Sequence, residues 1–198
     1  MVKMKDSPNN KLIEFLAILY TLSFGQRLGR YFLKEASGLG EGVLRRILSE
    51  LSREGYISVK RGGTVITDKG REFLSRLIAK IGYKHISPID VKGIVKHSYN
   101  AIAGVTSQSI KNVVQARDCI VRSGCLGGLI LFYTGSKLVL PPMGENYLYE
   151  NFPSFVKELK RIPLEEGDYI VISFGGKIYS LVKGLYEAVR YSGSGDVL

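Results

Sequence analysis

Residues 38–77 run GLGEGVLRRILSELSREGYISVKRGGTVITDKGREFLSRL, and the apolar spacing within them permits few folds. At about 100° per residue, Leu44, Ile47, Leu48 and Leu51 gather on one side of a helix, and Glu41, Gly42, Arg45, Arg46, Ser49 and Arg53 gather on the other. One face suits a core and the opposite one suits something acidic. Gly38 and Gly40 bracket Leu39, which predicts a tight corner with an apolar plug, and Gly55 stops the helix after Glu54. Tyr56–Lys60 and Thr64–Thr67 then alternate as two strands around Arg61, Gly62 and Gly63, whose glycines supply positive φ for a short hairpin. Thr67 or Asp68 can cap a following helix whose Phe73, Leu74, Leu77, Ile78 and Ile81 pack back on the earlier elements.

Basic residues opposite an apolar stripe are commonly just a solvated helix face. Placement argues for more. Arg45 and Arg46 lie early on the helix, where base edges are met, Lys60 and Arg61 sit at a hairpin tip, where phosphate or the minor groove is met, and both follow a glycine-bounded corner. The stretch resembles the winged helix-turn-helix superfamily, in particular prokaryotic regulators carrying GYI…TDKGREFL after the recognition helix. That resemblance implies that Arg45, Arg46 and Ser49, beside Glu41 and Gly42, face the major groove, while Arg53, Lys60 and Arg61 hold phosphate or the minor groove.

The charge is distributed in keeping with this. The chain of 198 residues has a formal net charge of +10, and residues 1–82 carry 15 Lys and Arg against 8 Asp and Glu, whereas residues 83–198 carry 13 against 10. The cationic excess therefore sits in the half that contains the helix and hairpin, and it favours polyanions. The apolar run Leu12–Phe24 contains Glu14 and is too short for a membrane span, and the start lacks a signal-peptide pattern, so a cytoplasmic protein is expected. That run is also richer in apolar residues than one buried face needs, which predicts a homodimer contact through the first helix, with cover by the C-terminal half as the alternative.

Beyond Ile81 the pattern changes. Residues 89–99 alternate as a strand, a helix follows over about 107–123, and Leu129–Tyr133 and Lys137–Leu140 read as a hairpin closed by Pro141 and Pro142. Pro153 can open a short helix, Tyr169–Phe174 reads as a buried strand, Lys177–Arg190 reads as a final helix, and the last residues read as a loose tail. The expected fold is α+β in two domains: a winged helix-turn-helix over residues 1–82, then a small α/β domain over 83–198 with the order β-α-β-β-α-β-α.

Two features of the second domain suggest an anionic effector. Arg117 falls inside an apolar stripe with Ile110, Val113, Val114, Ile120 and Val121, so it must snorkel, pair with an acid such as Asp168, or await an anion. Gly175, Gly176 and Lys177 form a glycine turn at a helix start, where free amides favour an anion. No catalytic set, cofactor motif or metal-ligand spacing emerges, and Cys119 and Cys125 read as buried small hydrophobes.

Over nearly its full length the chain resembles archaeal winged helix-turn-helix proteins with an uncharacterised C-terminal α/β domain. GLGEGVLRRIL at 38–48, QARDCIVRSGCLGG at 115–128 and LEEGDYIVISFGG at 164–176 carry the likeness. It implies a transcriptional regulator that binds double-stranded DNA, probed against two other readings: a metabolite-binding enzyme with an appended winged helix, and an RNA- or protein-docking module.

Overall fold

The computed structural model describes residues 8–25, 27–95 and 97–192, and the expected C-terminal tail lies outside them except for its first residue, Ser192. The protein is α+β, with two antiparallel sheets, and divides into two compact units; the first ends at Ile78 and includes Lys177–Tyr179, and the second begins at Ala79. The expected boundary, Gly82–Pro88, lies slightly later. Within the second unit, Thr106 donates to the Gly82 carbonyl at 2.6 Å.

The first unit comprises α1 (Pro8–Leu22), α2 (Arg30–Ser37), α3 (Glu41–Arg53), the hairpin β1 (Ile57–Lys60) and β2 (Gly63–Ile66), and α4 (Asp68–Lys80). Gly38 takes the left-handed conformation, φ 75°, that ends α2, and Leu39 is buried beside it as the corner plug. Leu44, Ile47 and Leu51 of α3 are fully buried, each stabilising the fold by about 1.5–3 kcal/mol relative to exposure. The helix ends where Gly55 turns to φ 75° and the Tyr56 amide donates back to Leu51 O at 2.9 Å. Thr67 caps α4: its hydroxyl accepts from the Gly70 amide at 3.0 Å and can donate to the Gly55 and Tyr56 carbonyls.

The hairpin is tighter than expected. Lys60 pairs with Gly63, leaving Arg61 and Gly62 as the loop, and of the two glycines Gly63 alone has positive φ, 122°. Leu28, between α1 and α2, makes an antiparallel bridge to Thr64 with amide bonds of 2.8 and 3.0 Å in the two directions. A Cβ on Gly63 would stand 2.9 Å from the Leu28 carbonyl oxygen, so glycine there permits this third chain to approach.

Along α1, Ile13, Leu16, Ile18, Leu19 and Leu22 are buried and Phe15 is half-buried.

The second unit contains β3 (His85–Pro88), β4 (Ala101–Thr106), α5 (Val113–Arg122), β5 (Gly127–Tyr133), β6 (Leu138–Val139), α6 (Tyr147–Asn151), α7 (Pro153–Leu159), β7 (Tyr169–Phe174) and α8 (Ile178–Ser192). Its five-stranded sheet has the order β3-β4-β7-β5-β6, antiparallel throughout, with β7 paired to β4 and β5. One face, carrying Ala103, Val105, Leu131, Ile170 and Ile172, forms a core with Leu148, Phe155, Val156 and Leu159 of α6 and α7. The other face receives α5 and α8: a Cβ on Gly128 would meet Ile120, and Ser173 Oγ donates to the Leu181 carbonyl at 2.9 Å.

The expected β-α-β-β-α-β-α order is corrected here to β-β-α-β-β-α-α-β-α. Residues 89–95 and 97–99 are not a strand, and Lys96 between them lies outside the described residues. Asp90 accepts the Lys92 amide at 2.8 Å and the Val91 carbonyl accepts from Ile94 and Val95, so the segment folds into turns; strands lie on either side of it. Asn112 delays α5 to Val113 by capping it, its side chain accepting from the Gln115 amide.

Candidate nucleic-acid interface

The exposed side of α3 faces the β1–β2 hairpin across an open groove of about 710 Å³. Arg45, Ser49 and Ser52 of α3 line one wall, Val59, Lys60, Arg61 and Gly62 line the other, and Arg30 at the start of α2 closes an end. Four of the lining residues are basic and none is acidic, so the groove suits a polyanion.

The cations are arranged by specific contacts. Glu41, at the α3 N-terminus, reaches Arg30 at 3.3 Å and Arg45 at 3.8 Å, and all three side chains remain well exposed. Its carboxylate sits where the helix dipole favours an anion, and it restrains both guanidiniums beside the groove. Arg27 lies along the hairpin tip: a Cβ on Gly62 would stand 3.2 Å from both its Cδ and its terminal nitrogen. Arg27, Lys60 and Arg61 therefore form a triple cluster of exposed charge at the tip.

The residues expected from the sequence divide into three sets. Glu41, Arg45, Ser49, Lys60 and Arg61 are assembled around the groove, and Gly42 is exposed beside Glu41 with open space where a side chain would project. Arg46 lies elsewhere. It donates to the buried carboxylate of Glu14 on α1 at 2.7 Å and approaches Glu50 at 3.9 Å, with its side chain 36% exposed. It stands one turn before Glu50 on α3, and its long side chain extends from there to the Glu14 carboxylate of α1. Arg53 is exposed at the far end of α3 and meets only the neighbouring Glu54, at 3.5 Å, among the described contacts.

Sequence reasoning missed Arg27, Arg30 and Ser52. Ser52 follows Ser49 and Arg45 at helical spacing and could have been found by extending the exposed stripe. Arg27 and Arg30 had no such signal, because the Leu28–Thr64 bridge that brings their segment to the hairpin is nonlocal.

The two candidate anion features, Arg117 and the Gly175, Gly176 and Lys177 turn, lie on separate elements. Arg117 is exposed on α5 beside Val114 and Val121, since the helix packs through Ala116, Cys119 and Ile120. Asp168 pairs instead with Lys84, at 2.8 Å, and accepts the Glu165 amide at 2.9 Å. Gly175, Gly176 and Lys177 do form the β7–α8 turn, but the Gly175 amide already donates to the Asn100 carbonyl, and Leu126 and Ser180 fill the space around the glycines. Both cysteines are buried, and burial pushes their thiols up, that of Cys125 to about 12. No cluster of three metal-ligating side chains occurs among the described residues, and no helix among them is long and apolar enough to cross a membrane.

Residues 94–190 match the domain of unknown function DUF4443. The match begins in the turns before β4 and ends near the close of α8, so the DUF4443 segment contains four of the second sheet's five strands. Among solved structures, the chain is similar to the hypothetical protein PH0730 from Pyrococcus horikoshii OT3, with a TM-score of 0.68 and 22% identity. The likeness covers 94% of this chain and 95% of that one, and it is a likeness of fold. No curated protein gives a significant match.

Proposed function

We propose that the first unit is a winged helix-turn-helix module that binds double-stranded DNA, and that the protein is a transcriptional regulator. The observation that carries this reading is the groove between α3 and the hairpin, lined by Arg30, Arg45, Lys60 and Arg61 with no acidic residue on its wall. In this reading α3 enters the major groove, where Arg45, Ser49 and Ser52 meet base edges, and the tip cluster of Arg27, Lys60 and Arg61 meets phosphates or the minor groove. Arg46 is removed from the base-reading set and acts as a strut between α3 and α1. Glu41 holds the two arginines apart from the core and limits their attraction to phosphate at wrong sites. The second unit, with its DUF4443 segment, regulates binding or assembly.

Binding selection from genomic fragments tests the proposal. Enrichment of a short common sequence is expected, with preference lost in Arg45→Ala. Arg61→Ala is expected to weaken all duplexes alike and flatten the salt slope by about 0.9 for one lost phosphate contact. Sedimentation with the enriched duplex counts the copies bound. Equal recovery of random DNA by the parent and both variants would refute the assignment.

A further inference from the structure

At the outer edge of the second sheet, β3 runs along the end of α7. His85 and Ser87 alternate on this strand and pair with Val105 and Ala103, so their side chains share the sheet face that α6 and α7 cover. Between them and residues 158–163 lies a cavity of about 270 Å³. The His85 Nε2 and Ser87 Oγ atoms are both buried and both without a hydrogen-bond partner. Two such atoms lining one cavity are unusual, since an orphaned buried polar group costs about 1–3 kcal/mol. A ligand that satisfies both would recover this.

The chemistry of the walls defines that ligand. Ser87 can donate, and His85 can present Nε2–H as a donor in its neutral form. Burial holds the imidazole below its ordinary range, partly opposed by the Asp168 carboxylate and assisted by the Lys84 cation. Ile89, Ile162 and Pro163 supply apolar walls. Arg161 and Glu158 also line the cavity as a pair, one terminal guanidinium nitrogen lying 2.6 and 2.8 Å from the two carboxylate oxygens, so the acid is neutralised and the guanidinium has further N–H groups to offer. The volume lies just below the roughly 300–1,000 Å³ usual for pockets of drug-sized ligands, so the occupant is small.

We propose that this cavity binds a small organic carboxylate with a compact apolar body. Its carboxylate accepts hydrogen bonds from Ser87 Oγ and His85 Nε2, near the Arg161 cation, and its body lies against Ile89, Ile162 and Pro163. The site is separate from Arg117 and Gly175–Lys177, and it does not depend on the DNA-binding reading of the first unit.

Benzoate serves as the probe, with benzamide as its neutral isostere, and the full-length chain is titrated by NMR while the His85 ring Cε1–H resonance is followed. A saturable shift is expected with benzoate below about 10 mM, with benzamide at least roughly tenfold weaker. Ser87→Ala removes a hydroxyl that has no partner, so it leaves the fold intact and is expected to weaken benzoate about tenfold or more. Ile162→Trp, which fills the cavity, is expected to abolish the shift, with the amide spectrum reporting that the fold is retained. Absence of a saturable His85 shift, equal binding of benzamide, or benzoate affinity unchanged in Ser87→Ala would each overturn the proposal.

Discussion

Two glycines on helices of the first unit lead to opposite expectations when each is changed to alanine. Gly70, in the first turn of α4, has no room for a side chain: a Cβ would overlap the Tyr56 carbonyl oxygen and stand 2.9 Å from Ile66 Cγ1, well inside the contact distance of about 3.5 Å. The Tyr56 carbonyl cannot yield cheaply, because it accepts the Thr67 amide at 3.0 Å and lies 3.0 Å from the Thr67 hydroxyl. Moving α4 away would loosen these bonds at about 1 kcal/mol each, and would disturb the Tyr56–Phe73 ring stack, whose centroids are 4.2 Å apart. Alanine's better helix propensity returns up to about 1 kcal/mol, so Gly70→Ala should cost about 2–3 kcal/mol once overpacking is included. Gly42 is also in a first turn, that of α3, but nothing lies within 4 Å of its Cβ position, so Gly42→Ala should stabilise by about 0.5 kcal/mol. Urea denaturation followed by tyrosine fluorescence gives both midpoints, and duplex binding gives a second axis. Because Gly42 sits on the face assigned to DNA, its alanine variant should be more stable yet bind the enriched duplex more weakly. A Gly70→Ala midpoint equal to the parent's, or a destabilised Gly42→Ala, would refute this packing account.

Thr67→Ala should lower stability by about 1–2 kcal/mol through loss of the α4 cap, read in the same denaturation experiment. Glu41→Gln, which removes the carboxylate near Arg30 and Arg45, should raise affinity for random duplex about two- to fivefold at low salt, a change of about 0.4–1 kcal/mol, and narrow the preference for the selected sequence. Arg46→Met should lower the denaturation midpoint while leaving the order of preferred duplexes unchanged, because this arginine holds α1. His85 titrates below its unfolded value of 6.5, so its contribution to stability is complete above pH 6.5 and is lost as pH falls through that value toward the folded pKa; His85→Gln should flatten the stability profile in that window.

The elements that sequence made legible are those whose signals are local. Gly38, Gly55 and Thr67 mark helix ends by their own backbone or hydroxyl chemistry, and α3 and the hairpin follow closely from that punctuation. Residues 89–99 misled because alternation of apolar and polar residues also occurs in a looped segment that drops Val91 into the core while Asp90 turns the chain. β4 escaped notice for the opposite reason: every residue of Ala101–Thr106 is buried, so a central strand covered on both faces shows no alternation. Within the site, Arg45, Ser49, Lys60 and Arg61 were readable from helix angle and hairpin position. Arg46 was misplaced because its partner, Glu14, is 32 residues away in sequence, and Arg27 and Arg30 depend on a bridge that pairs residues 28 and 64.

That bridge has a mechanical consequence. Anchored by Leu28 at Thr64, one residue from the closing Lys60–Gly63 pair, the hairpin cannot slide in register without losing both amide bonds to Thr64, so its reach is set by the number of residues beyond the anchor. Lengthening each strand by one residue would extend the tip by about 3.3 Å but turn its outward side chains to the opposite face, whereas two residues per strand would restore their facing about 7 Å further on. The reach of the tip cations can therefore change only in steps of paired residues, which makes the span between α3 and the Arg61 tip a fixed length that a related sequence would alter in discrete jumps.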